Sequence, residues 1–227
     1  ERVLLARRTA TGESGAMDRS GAWAPAAPAG ADPEAARRAL EHGLPLLDEA
    51  AGVFYDPLVP PERLLVLGGG HVGRAVAAAA HAVGFAVTVA DDRAEFLAPE
   101  RYPAGVQTRH GGYAEVVEAF PWDASAYAVI VTRGHLADLE SLRAVRGKPW
   151  RYAGMIGSRR KVRLMLDQAI ADGFDPERVA SVNAPIGLDI GAETPEELAV
   201  SIVGELVAAR RGVAAASLAR RRPRSAS

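Results

Sequence analysis

The chain of 227 residues contains no cysteine. That absence excludes disulfides, thiolate zinc sites, iron–sulfur clusters and a thiol nucleophile, and it fits a reducing compartment. Long apolar runs are missing too: none approaches the roughly 20 residues that span a bilayer, and the N-terminus lacks the apolar core of a signal peptide. An excess of one charge is also lacking, because the formal net charge is −1. We therefore expect a cytoplasmic protein with no membrane span and no general affinity for nucleic acid.

Several catalytic signatures are missing as well. The sequence has no G-x-S-x-G elbow, no H-E-x-x-H motif and no lysine-containing phosphate loop. These absences argue against a hydrolase and against an ATPase. We assign no metal ligands, although scattered His, Asp and Glu side chains leave such a site open.

Three regions follow one another along the chain. Residues 1–55 form a short N-terminal region with one strand, "RVLLARR", a linker or poorly ordered loop rich in Ala, Pro and Gly at residues 20–33, and helical spacing at residues 33–51. Residues 56–211 are expected to form a nucleotide-binding domain. Residues 212–227 are basic and lack a core-forming pattern, which predicts a disordered tail.

The second region alternates short apolar runs with helical segments, as a parallel sheet with crossover helices requires. Six strands are predicted, at residues 64–67, 85–90, 106–109, 128–132, 152–156 and 178–182. Helices are predicted at residues 71–83, 113–119, 136–145 and 158–172. The expected fold class is α/β, with a doubly wound, mostly parallel Rossmann-like sheet and a short N-terminal extension.

The last helix carries a clear start signal. Thr194 can cap it, Pro195 suits its first position, and Glu197 completes a Thr-x-x-Glu capping box. The apolar spacing that follows predicts a helix that ends near Arg211.

A glycine motif lies between the first predicted strand of the sheet and its helix, in "LLVLGGGHVGRAV". Gly68, Gly70 and Gly73 satisfy G-x-G-x-x-G in the context that a dinucleotide site needs. The first glycine would make the tight turn, the second would let the backbone approach a pyrophosphate, and the third would let the helix pack closely on the strand. The helix N-terminus would add unpaired N–H groups. The residues predicted to bind the cofactor here are Gly68, Gly69, Gly70, His71, Val72 and Gly73.

His71 is open to two interpretations, a ligand contact or a surface residue at the helix start. Asp91 ends the second predicted strand, where a carboxylate can accept a hydrogen bond from a ribose 2′-hydroxyl and would repel a 2′-phosphate. This position favours NAD(H), while Arg93 keeps NADP(H) open. FAD and adenosylmethionine would use similar parts of the fold.

A second turn of the same type lies in "YAGMIGSRRKVRLML". Cations in a first helical turn oppose the helix dipole, a cost that a sequence tolerates more readily when an anion must be held. An amphipathic helix with basic solvent-facing residues is the alternative. The residues predicted to hold an anion are Gly157, Ser158, Arg159, Arg160 and Lys161.

Five segments together carry a resemblance: "GGGHVG", "VADDR", "TRGH", "GMIGSRRK" and "PIGLDIGAETPEELAVSI". In this order and spacing they resemble the C-terminal Rossmann domain of xanthine dehydrogenase accessory proteins of the XdhC/CoxI type, over about residues 53–211. The resemblance implies a maturation factor and chaperone that binds molybdenum cofactor and assists its sulfuration. It also implies delivery to the apoenzyme of a molybdenum hydroxylase of the xanthine or carbon monoxide dehydrogenase type, with a cysteine desulfurase as a further partner. On that basis Ser158, Arg159, Arg160 and Lys161 would meet the cofactor's phosphate and pterin groups.

The first fifty residues depart from the family pattern. Members usually carry a longer N-terminal domain with a Gly-Ser-x-Pro-Arg segment and a Gly-Gly-Cys stretch, which are not found here. This difference puts molybdenum cofactor binding by this chain in doubt, and the absence of cysteine makes sulfur relay by the chain itself untenable. A shortened region that leaves apolar surface exposed would favour a homodimer.

Two other classes of function stay open. An NAD(P)-dependent oxidoreductase would need a proton-relaying group near the nicotinamide. The candidates are His135, with Asp138 one turn later as its partner, Lys161, and, more weakly, Tyr113. A regulatory protein that responds to NADH would need no catalytic residue. Of the three, the sequence favours a non-catalytic accessory protein.

Overall fold

The computed structural model describes residues 2–213, which divide into two compact units at Pro61. Most of the predicted basic tail, residues 214–227, lies outside the described residues.

The first unit, Glu1–Pro61, is an antiparallel sheet with one helix. Its elements are β1 (Val3–Arg8), β2 (Ser14–Met17), β3 (Trp23–Ala24), α1 (Pro33–His42), β4 (Leu46–Asp48) and β5 (Val53–Leu58). The strand order is β3-β2-β1-β5-β4. Alternate residues of β1 and β5, among them Leu4, Ala6 and Tyr55, are fully buried in a cluster that includes the apolar face of α1. The region expected as a short extension therefore has its own core.

Local signals explain the limits of α1. Asp32 caps its first turn by accepting hydrogen bonds from Glu34 N and Ala35 N. Gly43 ends the helix in the left-handed conformation, with φ of 61°. The segment expected as a linker, residues 20–33, contains the short strand β3.

The second unit, Glu62–Ser227, contains a parallel sheet. Its strands are β6 (Arg63–Leu67), β7 (Ala86–Asp91), β8 (Gln107–His110), β9 (Tyr127–Ile130) and β10 (Tyr152–Met155). Its helices are α2 (His71–Ala82), α3 (Tyr113–Ala119), α4 (His135–Val145), α5 (Arg159–Ala171), α6 (Pro176–Ala180) and α7 (Pro195–Arg211), with two 3-10 turns at Ala94–Phe96 and Pro99–Arg101. The order β10-β9-β6-β7-β8 confirms the predicted doubly wound Rossmann-like fold.

Both faces of this sheet are covered. Leu65 and Leu67 of β6 belong to the core cluster formed with α3, α4 and α5. Leu64 and Val66 point to the opposite face and join the cluster formed with α2 and α7. All four side chains are fully buried, as the central strand of a two-sided parallel sheet requires.

The start of α7 matches the prediction. The Thr194 side chain accepts from Glu197 N at 3.2 Å, and the Glu197 carboxylate accepts from Thr194 N at 3.0 Å, so the capping box is complete. Pro195 is the first helical residue, and Gly212 caps the other end with φ of 65°.

The sixth predicted strand, residues 178–182, is wrong. Residues Pro176–Ala180 form α6, because Asp175 accepts a hydrogen bond from Glu177 N and Pro176 presets the first helical turn. In the described residues, the pairing beyond β10 consists of a single bridge between Gly154 and Asn183. Within residues 62–213 the parallel sheet thus has five strands, not six.

Candidate functional site

The carboxyl ends of β6, β7, β9 and β10 carry the loops that the sequence singled out. The strand order reverses between β6 and β9, which makes the crevice above these two strands the topological switch point. Gly68 follows β6 at this point, and its N–H donates to Ala90 O of β7 at 2.7 Å. The glycine loop therefore begins at the position where doubly wound sheets bind ligands.

Three glycines of the loop have different surroundings. Gly68 has φ of +112°, and a Cβ atom there would lie 2.5 Å from Val131 O. A Cβ atom at Gly73 would overlap Gly68 O, so only glycine lets α2 approach β6 this closely. Gly70 is different, since a Cβ atom there would meet no protein atom within 4 Å. Gly68 and Gly73 shape the loop, and Gly70 leaves its outer side open.

The start of α2 has donors but no side-chain cap. His71 is exposed at the first helical position, whereas Val72 is half-buried against the apolar cluster beneath α2. A helix N-terminus without a side-chain cap presents its first-turn N–H groups to solvent or to an anion. This arrangement suits a phosphate group above Gly70.

Asp91 is fully buried and holds the glycine loop. Its Oδ2 accepts from Gly69 N at 2.7 Å and from Arg93 Nη2 at 3.1 Å. Its Oδ1 accepts from Arg93 N at 3.0 Å and Arg93 Nε at 2.9 Å. The Arg93 guanidinium in turn lies 3.7 Å from the ring centre of Phe96. These four donors match the roughly four lone-pair positions of a carboxylate, so the group expected to receive a ribose hydroxyl is engaged within the loop.

Electrostatics at this corner follow from the same contacts. Burial opposes ionisation of Asp91, but hydrogen bonds from Arg93 and Gly69 outweigh it and hold the pKa of the carboxyl below its ordinary value. The bond to Asp91 raises the pKa of Arg93. Burial, reinforced by the negative charges of Asp91 and Asp92, raises the pKa of Tyr113, which begins α3. Tyr113 therefore stays protonated at neutral pH.

Asp92 lies beside this network but is exposed. Its carboxylate is 3.6 Å from Arg93 Nε and 3.7 Å from Arg133 Nη2, and 43% of its side chain is accessible. Its backbone carbonyl lies 3.2 Å from His110 Nε2 at the end of β8. The sequence pattern does not single out Asp92, because the preceding aspartate, Asp91, occupies the expected position.

The basic turn after β10 is built differently from the prediction. Ser158 caps α5 by accepting from Lys161 N at 3.3 Å, and Arg159 and Arg160 are exposed. The Lys161 ammonium turns inward and donates to Asp138 Oδ2 at 2.6 Å. Of the three predicted cations, Arg159 and Arg160 therefore remain at the surface.

Asp138 is the centre of a buried polar cluster. Its side chain has no exposed surface, and it accepts from Thr132 Oγ1 at 2.5 Å as well as from Lys161. The expected pairing of Asp138 with His135 is wrong, because the carboxylate is engaged by Thr132 and Lys161 while His135 is exposed at the first turn of α4. Thr132 follows β9, Asp138 lies in α4 and Lys161 lies in α5, so the cluster connects these three elements near the C-terminal ends of the strands.

Glu205 is a buried carboxylate near the site that the sequence pattern did not single out. It is 4% exposed on the inner face of α7, and its Oε2 accepts from Tyr152 Oη at 2.5 Å and Gly187 N at 2.7 Å. These bonds tie the glycine-rich segment before α7 to the sheet. A charged residue among Ile202, Val203 and Leu206 on an apolar helix face is the signal that could have revealed it.

Two kinds of feature are absent from residues 2–213. No group of three or more His, Cys, Asp or Glu side chains there could hold a metal ion. No helix in that range is long and apolar enough to cross a membrane.

The family can now be assigned, because the sequence model of the XdhC Rossmann domain matches residues 64–206, which include all the loops described above. The chain belongs to the XdhC Rossmann-domain family. The match covers nearly all of the parallel sheet and the apolar face of α7.

Similar proteins extend the comparison. The Escherichia coli (strain K12) protein named "Uncharacterized protein YqeB" is 38% identical over 146 residues, or 64% of this chain and 27% of that protein. A Bacillus subtilis (strain 168) protein, described as a probable xanthine dehydrogenase subunit, is 29% identical over 171 residues, or 75% of this chain and 50% of that protein. The chain therefore spans at most half the length of these two relatives.

A solved structure shows the shared fold. The crystal structure of a xanthine dehydrogenase from Bacillus halodurans superposes with a TM-score of 0.71 and 22% sequence identity. The superposition covers 93% of this chain and 63% of that one.

Proposed function

We propose that this XdhC-family chain serves as an accessory factor for a molybdenum hydroxylase and binds a dinucleotide, NAD(H) or NADP(H), in its glycine loop. The observation that carries the accessory role is the family match over residues 64–206, supported by a relative whose name refers to xanthine dehydrogenase. On this proposal the hydroxylase apoenzyme is the partner that receives the mature cofactor.

The geometry of the glycine loop supports the dinucleotide. A Cβ atom at Gly70 would meet no protein atom within 4 Å, which supports a pyrophosphate at this position, and the N–H groups at the start of α2 would supply donors without a competing side-chain cap. Gly69 is fixed by its bond to Asp91, so the loop is preorganised before a ligand arrives. When bound, a dinucleotide would supply either redox chemistry or a regulatory signal.

Molybdenum cofactor is the second ligand that we propose. Its anionic phosphate suits Arg159 and Arg160, which are exposed at the start of α5. Lys161 contributes to this turn through its backbone rather than its ammonium, which is bound to Asp138. Sulfuration would draw on a cysteine desulfurase, because the chain has no cysteine to carry a persulfide.

The oxidoreductase alternative is less well supported by these contacts. Hydride transfer needs a positioned acid or base near the nicotinamide. His135 lacks the carboxylate partner expected for it, since Asp138 binds Lys161 and Thr132. Lys161 and Tyr113 are the remaining candidates. The Lys161 ammonium is committed to an ion pair with Asp138, and Tyr113 is buried with a raised pKa.

Reconstitution of a hydroxylase tests the accessory role. Cofactor-free hydroxylase is incubated with molybdenum cofactor, with and without the chain, and the recovered activity is measured. We expect a gain with the chain and a smaller gain with the Arg159→Ala, Arg160→Ala double variant. Arg163→Ala, also exposed on α5, serves as the matched control and should behave like wild type. Equal recovery with and without the chain would contradict the accessory role.

A further inference from the structure

The carboxylate at the end of β7 is saturated, and this leaves the ribose of a bound dinucleotide without its usual acceptor. Asp91 receives four hydrogen bonds from Gly69 and Arg93 and has no exposed surface. A ribose hydroxyl could reach it only by displacing the Arg93 guanidinium, which also stacks on Phe96. Recognition of the ribose therefore has to come from another group at the same corner.

Asp92 is that group. Its two ion-pair contacts, 3.6 Å to Arg93 and 3.7 Å to Arg133, are longer than hydrogen bonds, so its oxygens keep acceptor capacity. Asp92 follows β7, Arg133 follows β9, and β6 lies between these strands. The pair therefore spans the end of β6, where the glycine loop begins.

We propose that Asp92 is the specificity-determining residue of the nucleotide site. Its carboxylate accepts a hydrogen bond from the ribose 2′-hydroxyl of NAD(H) and repels the 2′-phosphate of NADP(H). This inference rests on the dinucleotide site proposed above. Arg93 and Arg133 flank the carboxylate, and their positive charges are offset by Asp91 and Asp92 in the native chain. Without the Asp92 charge, the same two guanidinium groups would form a phosphate-binding corner.

Titration of NADH and NADPH into wild type and Asp92→Asn tests the assignment. Wild type is expected to bind NADH at least about tenfold more tightly than NADPH. A single charge-assisted hydrogen bond changes affinity by about this factor. Asp92→Asn is expected to weaken NADH binding and strengthen NADPH binding, so that the preference falls by about tenfold or reverses. Adding Arg133→Gln should remove the gain for NADPH.

Glu95→Gln is the control, since it removes an exposed carboxylate a few residues away and should keep the wild-type preference. An unchanged NADH-to-NADPH ratio in Asp92→Asn would overturn the role of Asp92 while leaving the dinucleotide site intact. Binding of neither nucleotide to wild type at about 1 mM would overturn the site itself, and the specificity role with it.

Discussion

At the scale of single residues, the candidate site contains two buried carboxylates, Asp91 and Asp138, that are each paired with a cation. Asp91 and Asp138 both have no exposed side-chain surface, and each is bound by a cation and a second donor. Pairing of this kind offsets the free-energy cost of removing a carboxylate from water. Removal of one partner leaves that cost uncompensated and lowers the stability of the fold. Asp91 fixes the glycine loop after β6, and Asp138 connects the residues that follow β9 with the first turn of α5.

Asp91→Asn should destabilise the fold by about 3 kcal/mol at pH 7, because it leaves the Arg93 guanidinium with only the more distant, exposed carboxylate of Asp92. The folded-state pKa of Asp91 lies below its ordinary value, so its ionised form stabilises the protein. That contribution is complete above about pH 4 and is lost as the pH falls through the folded pKa. Urea unfolding between pH 7 and pH 3 measures both effects.

The matched control for this variant is Asp92→Asn, which removes an exposed carboxylate and should change stability by less than about 0.5 kcal/mol. An Asp91→Asn protein as stable as wild type at pH 7 would mean that the network around Gly69 contributes nothing to the fold.

Asp138→Asn should destabilise the fold by about 2 to 4 kcal/mol, because the half-buried Lys161 would lose a counter-charge that lies in a fully buried position. Addition of Lys161→Met should recover part of that loss, which would give a coupling energy of about 1 kcal/mol or more in a double-mutant cycle. The comparison is the pair Arg37–Glu34, in which both side chains are exposed, with an expected coupling below about 1 kcal/mol. Equal coupling in the two pairs would contradict a structural role for Asp138.

At the scale of elements, local signals predicted most of the second unit. Periodic apolar spacing and glycine boundaries gave α2 to α5 to within one or two residues, and the Thr194 capping box gave the start of α7. The strand predicted at residues 178–182 is wrong, because the Asp175–Pro176 cap starts a helix and the first part of the short apolar run belongs to it. Periodicity alone does not separate a short buried helix from a short strand.

The glycine loop offers a matched pair of variants. Gly73→Ala should lower stability by about 1 to 3 kcal/mol, since its methyl group would overlap Gly68 O and separate α2 from β6. Gly70→Ala should keep the fold, because the Gly70 φ of −63° suits alanine and the space around its Cβ position is open.

NADH binding by Gly70→Ala distinguishes a ligand-binding role of Gly70 from the packing role of Gly73. The Gly70→Ala methyl group projects into the space proposed for the pyrophosphate, so the NADH dissociation constant should rise by about tenfold. Calorimetric titration measures this value, and thermal unfolding checks the fold. Wild-type NADH affinity in Gly70→Ala would show that no ligand approaches the backbone there.

At the scale of the whole molecule, the sequence predicted the class of fold and the position of the site better than the contacts within it. Sheet order and glycine geometry follow from local pattern, and they placed the loop at the switch point. Asp91, Asp138 and Glu205 each have one partner that lies between 22 and 53 positions away, and local pattern does not reveal such a partner. The first 61 residues were harder still, because the pairing of β1 with β5 is distant in sequence.

Dinucleotide binding by the glycine loop at the switch point is the property on which the proposed site depends. Titration of the isotopically labelled chain with NADH, followed by backbone amide NMR, tests it residue by residue. We expect the largest shifts at residues 68–73 and at Asp92. Shifts confined to other surfaces, or no shift at about 1 mM NADH, would contradict dinucleotide binding at this loop.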